Sequence, residues 1–234
     1  MSTNNGTIAF VTGGNRGLGL AIVDELLARG ATKVYATSRS GHQHPDPRVV
    51  PVVLDVTDAA AVAAAAAGAQ DVNLVVNNAG VSHSASVLDG SLDETRADIE
   101  TNVFGLLNVS REFAPILAQR DASSLLNVLS ALSWFSAHGG YAVSKAAALS
   151  ATNALRLELL EQGTVVTALH VGYMDTDMTK GLDVEKTDPA AVAKLALDGV
   201  VEGAHEVLAD DTSRWVKSQL NGDVADLYPV LATA

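Results

Sequence analysis

The stretch "GGYAVSKAAALSATNALRLELL", residues 139 to 160, carries a tyrosine and a lysine four positions apart near the start of a run otherwise suited to helix packing. Positions i and i+4 of a helix share one face, with Cβ atoms about 5 to 6 Å apart, so Tyr141 and Lys145 can serve one site. A phenol in water has a pKa of about 10 and neither gives nor takes a proton readily near neutrality. A cation about 4 Å away is worth about 4 kcal/mol at an effective dielectric of about 20, enough to bring the phenol down by up to about 3 units. The pair then works as a general acid and base near pH 7. Taken alone, the same spacing describes a packing tyrosine beside a solvated lysine, and the rest of the chain has to decide between the two.

A second group of residues lies near the start. "AFVTGGNRGLGLAIVDELLARG" sets Gly13, Gly14, Gly17 and Gly19, with Asn15, Arg16 and Leu18 among them, between an apolar run and a helical stretch. Glycines there permit a tight turn and a close approach of backbone to a ligand, and the helix N-terminus behind them attracts phosphate. A turn without a ligand is the plainer alternative. The position argues for a dinucleotide, because the loop follows a strand, opens a helix and leads back to a second strand at 33–37. About 20 residues past such a loop an NAD-binding chain offers a carboxylate to the ribose. Here "YATSRSGHQH" offers Ser38 and Arg39 instead. With Arg16 in the loop, two guanidiniums and no carboxylate point to the 2′-phosphate of NADP, and so to NADPH in preference to NADH.

The elements that must hold these groups can be read from the apolar pattern. Strands are expected at 7–12, 33–37, 49–54, 72–77, 124–129, 164–170 and 205–209, and helices near 18–29, 58–68, 92–119, 140–161 and 188–202. Asp58 caps the second helix, while Asp188 and Pro189 open the last. Near-continuous apolar strands alternating with helices give a doubly wound α/β Rossmann fold, a seven-stranded parallel sheet with helices on both faces. With 234 residues, 48% of them hydrophobic, and no dividing linker, residues 1–234 form one domain, with 1–6 a flexible tail. Fifteen basic against 27 acidic residues, net −12, disfavour nucleic acid and anionic membranes as partners. The absence of cysteine removes disulfide and thiolate chemistry. No leader pattern and no apolar run of membrane-spanning length is apparent, so a soluble, cytoplasmic protein is expected.

In "TGGNRGLG" (12–19), "LDVTD" (54–58), "NNAG" (77–80), "TNVFG" (101–105), "NVLS" (127–130), "YAVSK" (141–145) and "VGYMDT" (171–176), the chain resembles the short-chain dehydrogenase/reductase family, with the pieces in the family's order. The resemblance implies an NADP-dependent oxidoreductase, a carbonyl reductase or alcohol dehydrogenase, moving a hydride between the nicotinamide and a ketone or secondary alcohol. It makes Tyr141 the general acid/base. Lys145 lowers its pKa and binds the nicotinamide ribose, Ser130 orients the carbonyl, and Asn102 holds a water that relays protons to Lys145. Asp55 and Val56 contact the adenine, the backbone of Asn78, Ala79 and Gly80 passes close to the cofactor, and Gly172 and Thr176 lie by the nicotinamide carboxamide. Read without the resemblance, Asp55 and "NNAG" are also ordinary strand-end turns, Ser133 rivals Ser130, and Asn102 is also an exposed helical asparagine. Two departures stand out: Val171 where the family has proline, which implies a looser turn, and a spacing of only 11 residues from Ser130 to Tyr141.

Trp134, Phe135, His138, Tyr173 and Met178 fall beside the expected carbonyl site and suit a pocket for a ketone with a bulky group, although Trp134 and Phe135 equally suit loop anchors. His83 and His138 are candidate polar pocket residues; with no paired spacing, no metal site is expected. Two other functions remain open on the same scaffold, an NADP-binding redox sensor without turnover and an epimerase or dehydratase. The intact Ser, Tyr and Lys set speaks against the sensor. The resemblance further implies a homodimer or homotetramer, with helices near 101–119 and 140–161 in an isologous interface.

Overall fold

The computed structural model describes residues 6–83, 86–137 and 139–233. Seven strands, β1 (Ile8–Val11), β2 (Lys33–Ser38), β3 (Val49–Val53), β4 (Leu74–Asn77), β5 (Ser123–Val128), β6 (Thr164–His170) and β7 (Glu206–Leu208), form one sheet in the order β3-β2-β1-β4-β5-β6-β7. Every pairing is parallel, with Phe10 opposite Tyr35 and Val75 in the register. Such a sheet needs cover on both faces, and β4 and β5 are buried along their whole length. On one face Ile22 and Val23 of α1 (Gly17–Ala28) pack with Val192, Ala196 and Leu197 of α6 (Pro189–Glu202). The other face is covered by α2 (Ala59–Ala67), α4 (Leu106–Leu117) and α5 (Gly139–Glu158), through Val62, Val109, Phe113, Ala148 and Leu155.

The doubly wound sheet agrees with the sequence pattern, strand for strand. The chain leaves β1 toward β2 on one side and returns at β4 on the other, so a cleft opens at the carboxyl ends of β1 and β4, where ligands bind in folds of this type. A buried polar chain fixes the helices over this cleft. Asn77 of β4 donates to Ser110 Oγ of α4 at 3.0 Å and to Asn127 Oδ1 of β5 at 2.9 Å, and Asn127 donates to Thr152 Oγ1 of α5 at 3.0 Å. Each is a hydrogen bond away from water competition, so the register of α4 and α5 on the sheet is specified as well as stabilised.

Two features differ from the sequence expectation. The long helix expected at 92–119 is three pieces: α3 (Leu92–Ile99), a π-helical turn at Glu100–Gly105, and α4. The extra residue in that turn swings Asn102 inward, where its amide is held by the loop after β4, and Gly105 packs hard against Val56. Beyond β7 the chain also forms α7 (Asp211–Gln219) and α8 (Val224–Leu227), where no helix was expected. A capping box between Asp210 and Ser213 starts α7, and Val216 is its one buried apolar side chain.

Candidate functional site

Gly13 and Gly17 have φ of 63° and 53°, backbone that L side chains adopt with strain, so the turn between β1 and α1 requires glycine there. At Gly19 the requirement is steric, since a Cβ would fall directly on the Gly13 carbonyl oxygen. Asn78 ties this loop to the end of β4: its Nδ2 donates to the carbonyls of Thr12 (2.9 Å) and Gly13 (3.1 Å). Thr12 Oγ1 in turn accepts the N–H groups of Asn78 and Ala79, both at 2.9 Å. The first turn of α1 has no side-chain cap, which leaves its N–H groups to whatever lies before it.

A cavity of about 940 Å³ begins at this loop, and its wall includes every residue expected to hold the cofactor: Gly13, Asn15, Arg16, Gly17, Leu18, Gly19, Ser38, Arg39, Asp55, Val56, Asn78, Ala79, Gly80, Tyr141, Lys145, Gly172 and Thr176. At the β2 end, Ser38 is buried and its hydroxyl has no hydrogen-bond partner among the described residues. Arg39 beside it is exposed. Asp55 is held below the usual carboxylate range by the N–H and hydroxyl of Thr57, at 3.0 and 2.8 Å, with a smaller contribution from Arg39. Arg16 has a different partner: its Nη1 pairs with Asp177 at 3.0 Å, with both side chains about two-thirds exposed. Such a pair is weak and easily exchanged.

The other end of the cavity is built by α5 and the segment after β5. Ser130 caps the 3₁₀ turn Ala131–Ser133, with its Oγ accepting from Leu132 N at 3.1 Å and donating to the Val171 carbonyl at 3.3 Å. Its hydroxyl also acts on the Tyr141 phenol, drawing it down. Ser133 instead turns back to accept the Ser130 N–H at 3.3 Å and is absent from the cavity wall, which Ser130 lines. Burial pushes the Tyr141 phenol up to about 12, against the Ser130 hydrogen bond, and the negative charge of Asp98 pushes the same way as burial. Burial lowers Lys145 to about 8, with Asp98 opposing. The Lys145 ammonium lies 5.7 Å from the Tyr141 ring centroid and donates to the Val128 carbonyl at 2.9 Å. The expected depression of the phenol by Lys145 is therefore not seen: desolvation dominates both groups.

Asn102 stands behind the wall. It is buried; its Oδ1 accepts from Val81 N, and its Nδ2 donates to the Val81 carbonyl and to Ser144 Oγ, all at 2.9 Å. Its side chain thus locks the π turn to the loop after β4 and to α5, holding the Lys145 helix in place. An exposed helical asparagine is ruled out by the same bonds.

Of the residues expected in a substrate pocket, Phe135, Tyr173 and Met178 line the cavity. His138 lies outside the described residues. Trp134 is a correction: its ring stacks on buried His170 with centroids 3.7 Å apart, under the Lys217 ammonium at 4.8 Å, and it is not in the wall. An indole stacked on an imidazole, with a cation over its ring, is a loop anchor. His170 Nδ1 meets the Ser130 carbonyl at 3.1 Å, so this stack backs the segment that carries Ser130. The turn with Val171 in the family's proline position is restrained from elsewhere, because Gly172 N donates to Asp210 Oδ2 at 2.6 Å.

Asp210 and the buried Asp98 are contributors that the sequence reading missed. A capping pattern at Asp210–Ser213 was a usable signal for the first; an acid one helical turn before Asn102 was a weak one for the second. Among the described residues no group of three or more His, Cys, Asp or Glu converges as a metal site, and no helix is long and apolar enough to cross a membrane.

Comparison with known proteins gives a family match and close structural relatives. The family described as short chain dehydrogenase matches residues 7–187. A short chain dehydrogenase from Burkholderia cenocepacia, solved in complex with NADP, superposes with a TM-score of 0.92 at 35% identity, covering 97% of each chain. Oxidoreductase BOA17 of Botryotinia fuckeliana is 34% identical over 183 residues, 73% of this chain and 66% of that protein. The 3-oxoacyl-[acyl-carrier-protein] reductase FabG of Salmonella typhimurium is 27% identical over 231 residues, 92% of this chain and 94% of that one.

Proposed function

This chain belongs to the short-chain dehydrogenase family, and from that premise we propose that it is an NADP-dependent oxidoreductase acting on a ketone or secondary alcohol, with Tyr141 as general acid/base. The observation that carries the proposal is the meeting of Ser130, Tyr141 and Lys145 in the wall of the same cavity as the glycine loop. A dinucleotide fits that cavity: the loop packs tightly on itself because Gly19 lacks a Cβ, the first turn of α1 behind it has no side-chain cap and suits a pyrophosphate, and the Ser38 hydroxyl, buried without a hydrogen-bond partner among the described residues, suits a polar group at the ribose end. Arg39 next to it, with no ion-pair partner among the described residues, supplies a guanidinium for a 2′-phosphate, which favours NADPH over NADH. Arg16 joins it only by leaving Asp177.

Bound there, the nicotinamide supplies or accepts the hydride. The chain's own residues handle the proton. With its phenol near 12, Tyr141 stays protonated at neutral pH and holds the proton that a carbonyl oxygen needs on reduction. Ser130 donates to the same oxygen as charge develops, once its hydroxyl turns from the Val171 carbonyl. Lys145, brought down to about 8, is poised to restore the proton after turnover and to swing from the Val128 carbonyl toward a ribose hydroxyl. Phe135, Tyr173 and Met178 give the substrate end an apolar wall suited to a bulky substituent.

The test is Tyr141→Phe, assayed by NADPH oxidation against a panel of carbonyl compounds. Turnover should fall at least about 10²-fold, since general acid catalysis supplies that much, while the NADPH dissociation constant stays near the parent value. Activity within a few-fold of the parent would remove Tyr141 from the role. The same reading carries a homodimer or homotetramer, for which exposed Phe104 of the π turn, Val143 and Leu157 of α5 and Leu160 just after it supply apolar surface; a monomer mass by light scattering would count against it.

A further inference from the structure

The carboxyl group of Asp98 takes no part in the steps above, yet it is fully buried on α3, one turn before Asn102. Burying such a group is costly unless it is paired and hydrogen-bonded. His83, in the loop after β4, reaches it twice: the backbone N–H at 3.2 Å and imidazole Nδ1 at 2.8 Å both meet Asp98 Oδ1. An ionised carboxylate only accepts, so Nδ1 carries hydrogen in this contact and Nε2 is the nitrogen left over. The ring is not buried with its partner. The His83 side chain is 40% exposed, against 0% for Asp98, and it forms part of the cavity wall together with Tyr141 and Lys145.

A histidine that only satisfied a core acid would do so best in the core. Here the acid is inside and the ring stands at the wall, an arrangement in which a carboxylate fixes the tautomer and orientation of an imidazole whose other nitrogen acts elsewhere. The rest of the wall near the site is largely apolar at Phe135, Met178 and Leu182, so a directed ring nitrogen adds discrimination that those residues do not. We propose that His83, oriented by Asp98, is a specificity-determining residue whose Nε2 binds a second oxygen of the substrate, so that ketones bearing a hydroxyl, carbonyl or carboxylate oxygen beyond the reacting carbonyl are preferred. Nε2 accepts from a hydroxyl when the ring is neutral and donates to a carbonyl or carboxylate oxygen when it is charged. Asp98 acts through His83 and is a positioning residue.

This inference rests on the carbonyl-reductase reading, and the experiment separates the two. Parent, His83→Asn and His83→Gln are compared by kcat/KM on length-matched ketones with and without a second oxygen on the second, third or fourth carbon from the reacting one. Asparagine keeps the donor to Asp98 but offers nothing at the Nε2 position, and glutamine does the reverse. The parent should favour one oxygen-bearing ketone by about tenfold, the worth of one good hydrogen bond. His83→Asn should lose that preference, read as the ratio of kcat/KM on the two ketones, and His83→Gln should retain part of it. Preference retained in His83→Asn, or plain ketones turned over as well as every oxygen-bearing one by the parent, overturns the proposal without touching the reductase reading. A second measurement needs no turnover: with NADP⁺ present, the Nε2 resonance of His83 should shift on adding the oxygen-bearing ketone and stay in place with the plain one. No shift with any oxygen-bearing ketone overturns it as well, whereas a shift without turnover of any ketone overturns the reductase reading alone.

Discussion

Acidification should unlock the Ser130 segment through His170. This imidazole has no exposed surface, its Nδ1 meets the Ser130 carbonyl at 3.1 Å, and its Nε2 has no hydrogen-bond partner among the described residues. Glu206 is the nearest acid, 3.8 Å from Nε2, and is itself engaged by Lys217 at 2.8 Å. Burial accordingly lowers the imidazole from 6.5 to about 4, despite the Ser130 carbonyl and Glu206, while Lys217 and Arg156 act with burial. A depressed histidine is neutral in the folded chain and charged in the unfolded chain between those two values, so the unfolded state binds the extra proton there. The associated stability is fully present above about 6.5 and is lost as pH falls toward about 4. A gap of about 2.5 units at 1.36 kcal/mol each gives about 3 kcal/mol, a large share of a typical domain's stability. His170→Asn keeps a donor for the Ser130 carbonyl and removes the titration. Urea unfolding of parent and variant should be measured at several pH values between 7.5 and 4, about three to six of them sufficing to fix a slope. Carboxylates titrate in both proteins and cancel, so the stability difference should move by about 2 to 3 kcal/mol in favour of the variant as pH falls. A difference that is flat across that range refutes the assignment of a depressed, neutral His170.

Two further outcomes concern the cofactor end. Arg39→Ala should weaken NADPH by about tenfold, leave NADH nearly unchanged and flatten the salt dependence of NADPH binding, as read by fluorescence titration; equal parent efficiency with both cofactors refutes the 2′-phosphate role. Gly19→Ala puts a methyl group on the Gly13 carbonyl oxygen and near Asn78 Nδ2, so NADPH affinity should fall by at least about tenfold while circular dichroism shows the fold retained; unchanged affinity would mean that the loop backs no ligand.

The features legible in the sequence are those written within one element. Tyr141 and Lys145 lie one helical turn apart, and the glycines of residues 13–19 are in a single loop, so spacing alone brings their chemistry together. The strands read correctly because a parallel sheet buried on both faces demands unbroken apolar runs, as at β4 and β5. The π turn at Glu100–Gly105 left no such mark, since its cause is the amide of Asn102 bonding Val81, 21 residues earlier. Likewise α7 is short and mostly polar along "DTSRWVKSQ", with Val216 its one buried apolar side chain, so no apolar run marks it. The sequence leaves Trp134 as either a pocket aromatic or a loop anchor until His170 and Lys217, from two other elements, are seen on its ring.

Val171 shows the same limit from the opposite side. Replacing the family's proline removes a covalent restraint on φ, and the sequence therefore implies a looser turn beside the nicotinamide position. The restraint is supplied instead by Asp210, whose Oδ2 takes the Gly172 N–H while its Oδ1 caps α7 at Ser213 N, 2.8 Å away. One carboxylate thus couples the turn to a helix that the apolar pattern did not reveal. A Cβ at Gly172 would crowd both Asp210 and Thr212, so the turn and the start of α7 are fitted to each other. The loss of a local restraint can be seen in the residue that changed; its replacement has to be sought among residues that converge only in the fold.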